Sequence, residues 1–164
     1  TPKPSSAASD VYKRQVKYYV TEPGSQWARQ LLDSGEPIFL VEITIVEVAA
    51  ALSILQRVAR LSKSHREQLW ERFERDCVRR YRFLSVTSQV IRTAASLCAN
   101  HPLKSYDAVQ VAAALCLQQM LRIDHSLVFV SGDRTVTAAA QAEGLRVDNP
   151  FWHVAENERE LIPH

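Results

Sequence analysis

Leu127-Val-Phe-Val130 is a run of four apolar residues cut off abruptly by Ser131-Gly132-Asp133. Apolar residues on consecutive positions, bounded so sharply, predict a strand of a parallel sheet. The stretch after it predicts a helix running to about Glu143 and stopped by Gly144. Ile38–Val41 repeats the arrangement, with a helix from Thr44 to about Arg60 behind it. Short apolar strands alternating with amphipathic helices restrict the chain to an α/β sandwich with a largely parallel sheet.

The remaining elements follow from caps and periodicity. Ser25 opens a helix to about Asp33, ended by Gly35 and Pro37. Ser64-His-Arg-Glu67 opens another, with Leu69, Phe73, Cys77 and Val78 mainly on one face. Phe83–Val86 reads as a second strand, and helices are expected over 88–99 and from Ser105 to about Leu121. Leu145–Val147 reads as a last short strand. With 164 residues and no long linker, one domain is expected. Its limits are read as 16–150, with an atypical segment, 1–15, before it and a tail, 151–164, after it.

Composition removes several function classes. Twenty basic against 18 acidic residues leave a net charge of +2, too little for a protein that coats polyanions, though a local basic surface is still allowed. Cys77, Cys98 and Cys116 are far apart, form no C-x-x-C pair and are odd in number. They are expected to be reduced core residues of a cytoplasmic protein. The five histidines are scattered, which gives a zinc site little support. The most apolar stretch, IFLVEITIVEVAAAL, carries two glutamates and is too short and too charged to span a membrane. The start, TPKPSSAASDVYKRQ, has no apolar core of a signal peptide. No glycine-rich phosphate loop is present.

In a parallel α/β sheet, sites form where strands end and helices begin. Glu47, Asp107 and Asp133 are read at such junctions, and each also has a purely structural explanation. Glu47 lies three residues after Thr44, the spacing of a capping box. Asp107, in LKSYDAVQVAAAL, suits the positive end of a helix dipole. Asp133 can cap the helix after the strand. Together they offer hard oxygen donors from separated segments, which is what a magnesium ion requires. Thr44 and Ser131 could orient phosphate or water, or serve as caps.

Four segments, VKYYVTEPGS, ITIVEVAAAL, HPLKSYDAVQVAAAL and FVSGDRTVTAAAQAEGL, occur in this order and at these spacings. From Val16 to Pro150 the chain thereby resembles a PIN-domain ribonuclease of the VapC-like toxin type. The resemblance implies a three-layer α/β/α sandwich with acidic residues at the C-terminal edge of the sheet. It also implies Mg2+ or Mn2+ as cofactor, cleavage of RNA by a metal-activated water, a homodimer, and a cognate antitoxin covering the active-site groove. Glu47, Asp107 and Asp133 match its metal-site acids. Lys17 and Arg134, with Lys104 and Arg146, lie near expected strand ends and could meet an RNA backbone.

One position departs from the pattern. The resemblance calls for an aspartate in a first-strand segment like LDTSALVKYYV, and Val11 stands there. Asp10 precedes it by one residue, which in a regular strand turns the side chain to the opposite face unless a bulge intervenes. The first strand is therefore expected to have been replaced or lost. Two further readings stay open: a PIN-like protein that binds RNA or a partner without cleaving, and a metal-dependent phosphatase.

Overall fold

The structure is a computed structural model, described here for residues 25–122 and 126–154. Asp10, Val11 and Lys17, with the segments 1–15 and 155–164, lie outside the described residues. Among the described residues the chain divides into two compact units. One runs up to Phe83 and is joined by His153 and Val154; the other is Leu84–Trp152.

The first unit contains helix α1 (Ser25–Asp33), strand β1 (Ile38–Val41), helices α2 (Thr44–Arg57) and α3 (Lys63–Arg79), and strand β2 (Tyr81–Leu84), which ends at the boundary. β1 and β2 pair in a two-stranded sheet. In α2, Val48, Ala51, Leu52 and Leu55 fall on one helical face and pack against Leu69 and Phe73 of α3. Burying each of the larger side chains, Val48, Leu52, Leu55, Leu69 and Phe73, contributes about 1.5–3 kcal/mol. Trp70 and Tyr81 flank Phe73 with ring centroids at 5.6 and 6.4 Å. Trp27 stacks on His153 at 4.6 Å, in keeping with a packing role for that tryptophan.

Caps decide the ends of these helices. Ser62, not Ser64, caps α3 by accepting the His65 N–H at 3.1 Å. α2 stops at Arg57 rather than near Arg60, because Ala59 adopts φ 56°. The N–H groups of Ala59 and Arg60 then return to the carbonyls of Gln56 (3.1 Å) and Leu55 (2.9 Å), closing a Schellman motif without its usual glycine. β2 begins two residues before the expected Phe83 because Arg80, the C-cap of α3, is anchored there. Its guanidinium lies 2.8 Å from Asp33 and 3.3 Å from the buried Asp76.

The second unit contains α4 (Ser88–Asn100), α5 (Ser105–Met120), β3 (Val128–Val130), α6 (Arg134–Ala142), β4 (Arg146–Asp148) and a short 3-10 turn (Pro150–His153), of which His153 falls with the first unit. Thr87 caps α4 by accepting the Val90 N–H. α4 and α5 form a tightly packed helical hairpin. α5 buries Ala108, Val111, Ala112, Ala113, Ala114 and Leu117, and these mostly small residues let neighbouring backbones come close. α6 packs on α5 and on β3 and β4.

β3 and β4 are parallel, with Val128 opposite Arg146 and Val130 opposite Asp148. This is the right element order for an α/β crossover, strand to helix to parallel strand. α6 is stopped by Gly144 as expected, with φ 89° at that glycine and the same pair of Schellman bonds seen in α2. The α/β class and the parallel pairing agree with the sequence. The described strands form two separate two-stranded sheets. Cys77 and Cys116 are half-buried, but Cys98 is exposed on α4 and so is not the core residue expected.

Candidate active site

Asp133 is the most completely defined of the expected site residues. β3 ends at Val130, and the backbone continues with the Ser131 N–H donating to the Asp148 carbonyl of β4 at 3.1 Å. Ser131 is buried, and its Oγ accepts the Asp133 N–H at 3.2 Å. The Asp133 Oδ1 accepts the N–H groups of Thr135 (2.7 Å) and Val136 (3.1 Å), capping α6. The Asp133 carbonyl accepts both the Thr137 N–H and the Thr137 Oγ1–H. Amide, carboxylate and carbonyl are thus all engaged, which fixes the direction of the side chain. The Ser131 hydroxyl thus serves Asp133 as an acceptor, with its own O–H left to donate.

Asp107 sits in the first turn of α5 and is only 6% exposed. No side chain caps α5; its N-cap is Lys104. Asp107 follows α4 through the link 101–104, so it lies at a helix–helix junction and not at a strand end as expected. A buried carboxylate at a helix N-terminus is favoured by the helix dipole.

Glu47 lies in the first turn of α2, after β1, and is half-buried. The expected capping box is not formed: the N-cap is Ile43, and no side chain caps the helix. Thr44 is the first helical residue and is buried at 3% exposure. As an acid in the first turn, Glu47 is still favoured by the helix dipole. Arg134 is exposed in the first turn of α6.

Asp148 was not singled out from the sequence. It ends β4 opposite Val130, at the same edge of the strand pair as Asp133, and its Oδ1 accepts the Asn149 N–H at 2.7 Å. The signal was available, since an acid closing the last strand of a parallel pair lies where such sheets carry their chemistry. Among the described residues no group of three or more His, Cys, Asp or Glu side chains stands close enough to hold a metal ion. The expected donors, Glu47, Asp107 and Asp133, are all hard carboxylate oxygens. In kind they fit a hard divalent cation rather than a thiophilic one.

Residues 16–141 match the PIN domain family. The chain belongs to that family. The PIN-domain chain is 33% identical over 135 residues to ribonuclease VapC45 of Mycobacterium tuberculosis (strain CDC 1551 / Oshkosh), covering 80% of this chain and 88% of the relative. The same figures hold for ribonuclease VapC49 of Mycobacterium tuberculosis (strain ATCC 25618 / H37Rv). The PIN domain is an α/β fold, in agreement with the element order above. No helix among the described residues is long and apolar enough to cross a membrane.

Proposed function

We propose that this PIN-domain protein is a metal-dependent endoribonuclease that hydrolyses RNA phosphodiester bonds as the toxin of a toxin–antitoxin pair. Family membership, with VapC ribonucleases aligned over 80% of the chain, is the observation that carries the reading. The buried Asp107 and the braced Asp133, each at the start of a helix, add support.

Glu47, Asp107 and Asp133 would hold Mg2+ or Mn2+. A bound divalent cation supplies a water of lowered pKa and offsets the negative charge that develops on phosphate. The protein contributes the fixed placement of its carboxylates: Asp107 by burial on α5, Asp133 by the bonds of its loop. Arg134 and Lys17 would meet the RNA backbone as cations. Thr44, buried at the first position of the same helix, would position that turn rather than touch RNA.

A second copy and a cognate antitoxin are the partners proposed. Val78 on α3 (87% exposed) and Ile91 on α4 (50% exposed) offer apolar side chains to such a partner. Sedimentation at tens of micromolar tests self-association, and a monomer there counts against the homodimer.

The deciding assay is cleavage of a mixed RNA substrate with Mg2+ or Mn2+, alongside nucleotides and small phosphate esters. Metal-dependent cleavage of RNA alone is expected, weak or absent in the chain as it stands, strong once the first strand is restored, and lost in Asp107→Asn of the restored protein with the fold intact. Turnover of small phosphate esters instead would indicate a phosphatase. RNA binding without cleavage would indicate a PIN-like binding protein.

A further inference from the structure

The loop Ser131-Gly132-Asp133 is held from below by a part of the chain that plays no role in the reading above. Asn149 is 2% exposed, and its side-chain Oδ1 accepts the Phe151 N–H at 2.9 Å. Pro150, between them, fixes φ near −65°. The Trp152 N–H returns to the Asn149 carbonyl at 2.9 Å, closing the turn. The ring of Phe151 is thereby set against Gly132. A Cβ placed on Gly132 would lie 3.1 Å from Phe151 Cε2 and 3.7 Å from Cδ2. The ring edge therefore stands closer than a methyl group there ordinarily tolerates, so ring or loop must give by a few tenths of an ångström to admit one.

We propose that Phe151, anchored by the buried Asn149, is a positioning residue for Asp133: its ring against Gly132 sets the path of the loop that aims the carboxylate. This rests on Asp133 being a metal-site residue. The chemistry of the contact is steric. The loop top is tied by the Ser131 Oγ to the Asp133 N–H, and its bottom rests on the ring. The backbone of Phe151 is tethered, so an added methyl group displaces the loop more readily than the turn.

The contact predicts reciprocal suppression. Gly132→Ala places a methyl group against Cε2 and pushes the loop off its cap. Phe151→Leu removes Cε2 and leaves the loop unsupported. Combined, the new methyl group takes part of the space the ring vacated. Amide hydrogen exchange at Thr135 and Val136 in the metal-free protein reports the cap directly. Each single variant is expected to speed exchange there about tenfold, the scale of a lost N-cap. The same variants should weaken Mn2+ binding and lower kcat for RNA several-fold with KM little changed. The double variant should recover at least half of each loss.

Unchanged exchange at Thr135 and Val136 in Gly132→Ala, or a double variant no better than the worse single one, overturns the proposal. So does faster exchange with unaltered Mn2+ affinity, because the contact would then be structural only. Asp133→Asn separates the two layers. If it leaves Mn2+ affinity unchanged, the underlying site assignment fails and the proposal with it, whatever the exchange rates show. If it weakens binding while the Gly132 and Phe151 variants do not, only the positioning role fails.

Discussion

The Asp133 carboxylate receives the Thr135 N–H at 2.7 Å, so the same side chain that is proposed to hold metal also caps α6. The two roles respond differently to substitution. Asn caps a helix about as well as Asp, whereas Ala does not. Asp133→Asn should keep the thermal stability within about 0.5 kcal/mol of the parent and lower RNA cleavage by about a hundredfold or more. Asp133→Ala should lose cleavage and about 1 kcal/mol of stability besides. Denaturant melts beside a cleavage assay distinguish them; a fully active Asp133→Asn protein would make the residue a cap and nothing more.

Val11 occupies the position where the family resemblance calls for the first acid. Metal-assisted hydrolysis depends on the number and placement of anionic ligands. Replacing residues 7–15 with an apolar strand ending LDTSAL, so that aspartate falls at position 11, should raise cleavage well above that of the chain as it stands. Equal, robust cleavage by both would show that Asp10 or another group fills the role.

Ala59 holds a left-handed conformation at φ 56° that glycine adopts without steric cost. It is exposed and ends α2 through the two Schellman bonds. Ala59→Gly should therefore stabilise the protein by about 0.5–1 kcal/mol, the left-handed penalty less the extra entropy of an unfolded glycine. A urea midpoint that falls instead of rising would contradict the assignment.

Burial pushes the Cys77 thiol pKa up, and the neighbouring Asp76 and Glu74 carboxylates push in the same direction. Cys98 is exposed. Iodoacetamide at mildly alkaline pH should label Cys98 well before Cys77 in the folded protein. Because the folded pKa of Cys77 lies above the unfolded one, its contribution to stability is intact below the ordinary thiol range. That contribution is lost as pH rises through the raised value. Cys77→Ala should flatten this alkaline decline, as read from stability curves across pH.

How legible the fold was depended on whether a boundary was written in a residue type. Gly144 announces the end of α6 because glycine is the usual occupant of a left-handed position. Ala59 performs the same act without announcing it, so the helical pattern in the sequence runs about three residues past the end of α2 at Arg57. The early start of β2 was hidden because it depends on Arg80 reaching Asp33 across the chain, a contact no local pattern records. In the site, Asp133 was readable from strand, glycine and acid in sequence, and its cap is as expected. The capping box of Thr44 and Glu47 had the right spacing and did not form, because Ile43 rather than Thr44 occupies the N-cap. Spacing fixes which groups can meet; the backbone angle at one residue decides whether they do.

The parallel pairing of β3 with β4, and the turn after it, also orders events during synthesis. α4 and α5 meet through contacts close in sequence, so Asp107 can be seated soon after its helix leaves the ribosome. Asp133 cannot be finished on that schedule. Its loop waits for Asp148 to receive the Ser131 N–H and for Phe151 to arrive beneath Gly132. A nascent chain halted before Asn149 would carry the acids named here without the brace on Asp133. For a protein proposed to cut RNA, this sets the maturation of one carboxylate after that of the other, once Phe151 has been made.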